Sequence, residues 1–321
     1  MPQGASIGPC EQLHSQTKNL VQTCHSARMP QAGGWAHLMG FGQNDNLIQD
    51  SLDKFNCSGC LHDCGRFVMR RAEYFVVRCA RCDLAHFLPR PEVELDSHQL
   101  HDLEYYEQVM KPLRRGLDYH STKLLHMLST YSPPPGRLME IGCATGLFLT
   151  DAHAAGYTVT GVEPAVGHRE LIPPHIASSV FPRKLEEVDI PVGTFDVIVA
   201  MQLLEHLLDP TVFAQKLKDM LKPGGIAYVE TPNFDCVSRR LHVESWMDNN
   251  VAPGHWHLFN PRSMAAFCER IGLRVVRCWT FFKALGIHSR SHLLGRSLVA
   301  LDYTLGRAGL GNNVAVLITR D

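Results

Sequence analysis

The chain has no run of about 18 apolar residues, and its start carries no basic segment leading into an apolar one. The first absence excludes a membrane-spanning helix. The second makes the cytoplasm the expected location. Net charge is almost absent too: 31 basic against 32 acidic residues leave −1 at pH 7. No global basic field therefore recruits nucleic acid or anionic membrane. An even cysteine count is also missing. Eleven cysteines, scattered without an export signal, argue against a disulfide framework. Metal ligation for a few and burial for the rest are the expected uses. What is present is 321 residues with 45% hydrophobic content, enough for a core domain of roughly 200 residues and a smaller unit.

Composition divides the chain. Residues 1–52 are rich in Gln, Gly, Ser, His and Pro without a sustained period, which reads as a disordered tail. Residues 53–91 form a Cys-containing unit that leaves through Pro89-Arg90-Pro91. Residues 98–321 form the large domain. Its first part, 98–131, has helical spacing at Leu117, Leu124, Leu125 and Leu128, and Pro133-Pro134-Pro135-Gly136 stops it. Strands are expected at 137–142, 157–163, 195–200, 226–231, 273–281 and 313–319, with helices at 147–155, 204–221 and 261–271. This alternation implies an α/β fold with a mostly parallel, doubly wound sheet. The Leu-rich segment 284–311, dotted with His and Arg, is expected to be a lid or a dimer surface.

The stretch 138–146, LMEIGCATG, reads as a buried strand feeding a tight turn and then a helix. An acidic residue, Glu163, follows 21 positions after Gly142. That layout suits a nucleoside: small residues let backbone approach the ligand, and the carboxylate takes two ribose hydroxyls. The loop is not the dinucleotide fingerprint, which points away from a nicotinamide cofactor and towards S-adenosylmethionine.

The Cys unit carries Cys57-x2-Cys60 and Cys79-x2-Cys82, with 18 residues between the pairs. This is the spacing of a four-thiolate zinc site. Four thiolates close the coordination shell, so such a metal is structural. It would stand in for the core that a unit of roughly 35 residues lacks. Cys64 and His86 lie near enough in sequence to supply alternative ligands. The unit also carries Arg66, Arg70, Arg71, Arg78, Arg81 and Arg90, a local basic excess.

Read together, Glu140-Ile141-Gly142-Cys143-Ala144-Thr145-Gly146, Glu163, the strand at 195–199 and Leu221-Lys222-Pro223-Gly224-Gly225 resemble the motifs of class I S-adenosylmethionine-dependent methyltransferases. The resemblance covers 137–235, which forms the core, and more loosely 255–319. It implies a Rossmann-like seven-stranded sheet, with 273–281 and 313–319 as its C-terminal strands. Glu140, Gly142, Ala144, Gly146, Glu163, Leu185, Met201 and Tyr106 would then border the cofactor. Ala144 replaces the middle glycine of the consensus. A zinc ribbon before such a domain resembles a recurring bacterial architecture, and in some rRNA methyltransferases a zinc module grips RNA.

Methyl transfer needs an aligned acceptor and a group that takes its proton. Glu205-His206 follows the strand expected at 195–200, and His255 and His257 follow the one at 226–231, where open α/β sheets bind ligands. These four are the candidate catalytic residues. Glu205-His206 with a later His also resembles the E-x-x-E-H sites of ubiquinone-pathway O-methyltransferases and small-RNA 2′-O-methyltransferases, which hold a divalent metal such as Mg²⁺. Here the first Glu is Gln202, an uncharged and poorer ligand for a hard cation. The leading expectation is methylation of a small-molecule hydroxyl on a glycan sugar, quinone precursor or secondary metabolite. An RNA methyltransferase gripping its substrate through the Arg-rich ribbon is the second reading, and a non-catalytic cofactor-binding module the third.

Overall fold

The computed structural model describes residues 51–52, 54–71, 74–89, 111–243, 254–282 and 304–321. Nearly all of the expected tail, Tyr106, Arg90 and residues 283–303 lie outside these. The large sheet has seven strands. In chain order they are β4 (Arg137–Ile141), β5 (Thr158–Val162), β6 (Val180–Phe181), β7 (Phe195–Met201), β8 (Leu221–Pro232), β10 (Arg274–Phe281) and β11 (Asn313–Thr319). Their spatial order is β10-β11-β8-β7-β4-β5-β6. β11 runs antiparallel to both neighbours, and the pairs from β8 to β6 are parallel. Strand order reverses between β4 and β7, and the carboxyl ends there form the crevice where such sheets bind ligands.

Helices cover both faces. On one, α1 (Lys111–Tyr131) and α2 (Leu147–Ala154) pack on the sheet, with Leu124, Leu128, Leu138, Phe148 and Tyr157 in one buried cluster. Two short helices, α3 (Val166–Arg169) and α4 (Pro174–Ala177), follow β5. On the other face lie α5 (Pro210–Met220) and, after the short α6 (Val237–Leu241), α7 (Pro261–Ile271). α7 starts with a reciprocal cap between Asn260 and Ser263 and has Pro261 in its first turn, which satisfies amides that a helix start otherwise leaves open.

A second sheet, of order β1-β2-β3-β9, holds the Cys unit. β1 (Gly65–Arg71), β2 (Tyr74–Cys79) and β3 (Ala85–Leu88) are a meander. The fourth strand, β9 (His257–Leu258), comes from the large domain and pairs with β3. Phe55, Phe75 and Val77 share one buried cluster with Phe259, Met264 and Phe267. Arg270 donates to the carbonyls of Ser58 and Gly59, and Arg78 forms a two-pronged pair with Asp235. The expected boundary at residue 91 is thus crossed by a strand, a core, the Arg78–Asp235 ion pair and the Arg270 hydrogen bonds.

Two expectations need correction. The helix expected at 204–221 begins only at Pro210, because Asp209 caps it by accepting from Thr211 N–H and proline suits the first helical position. Glu205 and His206 therefore sit in a turn. β8 starts at Leu221, so the Lys222-Pro223-Gly224-Gly225 stretch lies inside the strand's span. Its register against β7 shifts between Phe195 and Val197. A Cβ on Gly225 would lie 2.9 Å from the Lys222 carbonyl, so only glycine fits there. Of segment 284–311, only 304–311 is described; 304–307 form a helical turn, and Thr280 Oγ1 donates to Gly306 O.

Asp196 ties the amino ends of β4, β7 and β8 together. It accepts from Arg137 N–H at 2.8 Å and from Lys222 Nζ at 2.7 Å. Burial pushes its carboxyl up, but the Arg137 N–H and the Lys222 ammonium outweigh this and hold it below the usual range. A depressed carboxylate contributes stability above its unfolded pKa, near pH ~4, and loses it as pH falls through the folded value. Thermal unfolding of wild type and Asp196→Asn should therefore differ at neutral pH and converge in acid.

Candidate cofactor and metal sites

The loop after β4 is set by backbone geometry. Gly142 and Gly146 both have φ of +71° and Ala144 has +46°. The Gly142 and Cys143 N–H groups both donate to Val162 O, which ties the loop to the end of β5. Glu163 stands at that end and is buried. Its Oε2 accepts from Ala144 N–H and its Oε1 from Ala165 N–H, both at 2.8 Å. A carboxylate has about four acceptor positions, enough in principle for backbone N–H groups and a vicinal diol together. His168 Nδ1 is 3.9 Å from Glu163 Oε1, and burial holds its imidazole below the usual value. Burial first, then Glu140 and Glu163, push the Cys143 thiol far up, so it stays protonated.

Ala144 lies in the left-handed region that glycine favours, at a cost of roughly 1–2 kcal/mol for a side-chain-bearing residue. Ala144→Gly is expected to raise stability by about 0.5–1 kcal/mol after the greater freedom of glycine in the unfolded chain is counted. The urea midpoint would report this, with cofactor affinity preserved.

Glu140 is buried near the end of β4, and Met201 is half-buried at the end of β7. Leu185 is buried in the same core cluster as Phe213. Its side chain thus faces the core, while Glu186 next to it is exposed.

Past β7, Glu205, His206 and His255 offer ligand atoms within 4.8 Å of one another. The two rings meet edge to face at 4.4 Å. Glu205 is 1% exposed, and its Oε2 accepts from Thr231 Oγ1 at 2.8 Å. One carboxylate and two imidazoles are donors that suit Mn²⁺, Fe²⁺ or Zn²⁺ as well as Mg²⁺. Gln202 does not join them: its amide donates to Glu230 and Asn313. His257, expected in the same pocket, is fully buried elsewhere. Its Nδ1 lies 3.2 Å from Ser58 Oγ and its ring stands against His86. The chain turns at Trp256, whose N–H donates to Glu205 O while its carbonyl accepts from Phe87 N–H.

The four sulfurs of Cys57, Cys60, Cys79 and Cys82 also gather within 4.8 Å. Cys64 is not among them. His86 Nε2 instead lies 3.4 Å from Cys57 Sγ. The thiols compete for ionisation: Cys79 is driven far down by contact with Cys57 and Cys82, while Cys57 is held up at about 12, first by Cys79, and Cys82 rises further. One thiolate is stable alone, and four together require a cation. The donor set fits zinc.

Sequence reasoning missed Glu230. It is fully buried at the carboxyl end of β8 and accepts from Tyr228 OH at 2.6 Å and from Gln202 Nε2. His120 Nε2 on α1 lies 2.8 Å from its Oε2. Burial, then Glu230, push the Tyr228 phenol far up, so it remains a donor. The available signal was a lone acid inside an apolar strand.

With this geometry in hand, the strand order and glycine turn define the class I methyltransferase fold. The chain belongs to the methyltransferase domain family, which matches residues 113–277, just over half its length. It is 34% identical over 112 residues to a ubiquinone biosynthesis O-methyltransferase of Bradyrhizobium diazoefficiens, covering 33% of this chain and 44% of that protein. To the enzyme of that name from Dinoroseobacter shibae it is 28% identical over 185 residues, covering 52% and 73%. The chain thus spans about half the length of the curated relatives it matches. Among solved structures, a SAM-dependent methyltransferase from Thermotoga maritima is similar at 17% identity and a TM-score of 0.48, covering 69% of this chain and 100% of that one. Among the described residues, no helix is long and apolar enough to cross a membrane.

Proposed function

We propose that the chain transfers a methyl group from S-adenosylmethionine to a hydroxyl of a small-molecule acceptor, with a divalent cation at Glu205, His206 and His255. The observation that carries this is that one carboxylate and two imidazoles converge beside the carboxyl end of β7. S-adenosylmethionine supplies an electrophilic methyl when bound. Glu163 and the turn from Gly142 to Gly146 would hold its nucleoside, and the start of α2, which no side chain caps, would suit its carboxylate. A cation held by the three ligands would make an acceptor hydroxyl easier to ionise. Glu205 is kept in place by Thr231, and with both imidazoles serving as ligands the released proton would pass to solvent. Zinc at the four thiolates is structural.

Relatives named as O-methyltransferases support a hydroxyl acceptor. The RNA reading loses ground because Arg78 is paired with Asp235 and Asp83 within the fold. The test is transfer of labelled methyl from S-adenosylmethionine to a catechol and to a hexose. Incorporation that falls with EDTA and returns with Mn²⁺ is expected. Label appearing in RNA and in neither small molecule would overturn the assignment.

A further inference from the structure

The Cys unit reaches the catalytic edge through a short, continuous path. His86 and His257 face each other across the β3–β9 pairing, and their rings meet edge to face at 5.4 Å. On one side, His86 Nε2 is 3.4 Å from Cys57 Sγ, and His257 Nδ1 is 3.2 Å from Ser58 Oγ, between the first two thiols. On the other, Trp256 N–H donates to Glu205 O at 2.7 Å and His257 N–H to the same carbonyl at 3.3 Å. The next residue back is His255, packed on His206. β9 has only two residues, too few to hold a conformation of its own, so its geometry comes from β3. β3 in turn leaves directly from the second Cys pair, where Cys79 N–H donates to Leu84 O and Asp83 N–H to Cys79 O.

We infer that the four-thiolate centre and the Glu205–His206–His255 centre are coupled, with His86 and His257 as positioning residues between them. Metal at the thiolates fixes β3, β3 fixes β9, and β9 sets His255 opposite His206. Filling the first centre thereby raises the affinity of the second for a divalent cation, and by linkage the reverse also holds. The inference rests on the cation reading above. It gives the Cys unit a different task from gripping substrate: the unit is the footing of one wall of the reaction site.

The test uses the full chain, zinc-stripped and loaded with one zinc per chain, which the four thiolates take in preference to the carboxylate and imidazoles. Mn²⁺ uptake is followed by the loss of the free-ion paramagnetic resonance signal, since Mn²⁺ is a poor match for thiolates. Amide exchange is read at Trp256 and His257. Zinc loading should tighten Mn²⁺ uptake by about fivefold or more, and stripping should deprotect both amides. His86→Phe keeps all four thiolates and should retain its zinc while taking up Mn²⁺ about fivefold more weakly, with S-adenosylhomocysteine affinity unchanged. Equal Mn²⁺ affinity with and without zinc, with both amides still protected, overturns the coupling. If the zinc-loaded chain takes up no Mn²⁺, the cation reading falls, and exchange alone decides: retained protection refutes the footing and lost protection supports it. If stripping unfolds the chain, His86→Phe decides, and wild-type Mn²⁺ uptake and exchange in that variant refute the coupling.

Discussion

Glu163→Ala should weaken S-adenosylhomocysteine binding on the order of 100-fold, because two hydrogen bonds to a charged acceptor are lost at roughly 1.5 kcal/mol each. The carboxylate also accepts from the Ala144 and Ala165 N–H groups, so its loss loosens the loop that approaches the cofactor. Glu163→Gln distinguishes size from acceptor capacity. A glutamine must turn its NH₂ towards one of those two N–H groups, setting donor against donor. It should therefore bind almost as poorly as alanine, although it fills the same volume. Calorimetric titration measures both. Affinity within threefold of wild type for either variant would remove the ribose assignment.

Cys79→Ser is expected to release the metal and to lower the unfolding midpoint by about 10 °C or more. Structural zinc contributes on the order of 10 kcal/mol in small zinc domains, and roughly 2–4 °C accompanies each kcal/mol in a chain of this size. The loss should not stay local. Phe55, Phe75 and Val77 share a core with Met264 and Phe267, and Arg270 holds the Ser58 and Gly59 carbonyls. Scanning calorimetry with elemental analysis of the same sample checks this. A metal-free variant that melts like wild type would show that the strands and ion pairs alone carry the unit.

Most of the large sheet was legible because each strand carries its own signal. The glycine turn at 142–146 and the helix at 261–271 are local devices, and local devices read directly from residues. The strands β6 and β9 were not legible, since two residues hold no period and pairing alone makes them strands. The turn at 204–209 was misread as helix because Leu203, Leu204, Leu207 and Leu208 imitate an apolar helical face. The Asp209 cap and Pro210 decide otherwise. His255 and His257 looked like a pair in sequence, yet the backbone bonds at Trp256 send one ring to His206 and the other to His86. The four thiols were legible from spacing. Their attachment to the large domain through β9 was not, because it depends on contacts between residues more than 150 positions apart.

The central claim is a nucleoside site at Gly142, Gly146 and Glu163 beside a carboxylate and two imidazoles. Calorimetric titration of the wild-type chain with S-adenosylhomocysteine tests it most directly. One molecule bound per chain and displaced by S-adenosylmethionine is the expected result. No heat at saturating ligand, from protein that unfolds cooperatively, would contradict it.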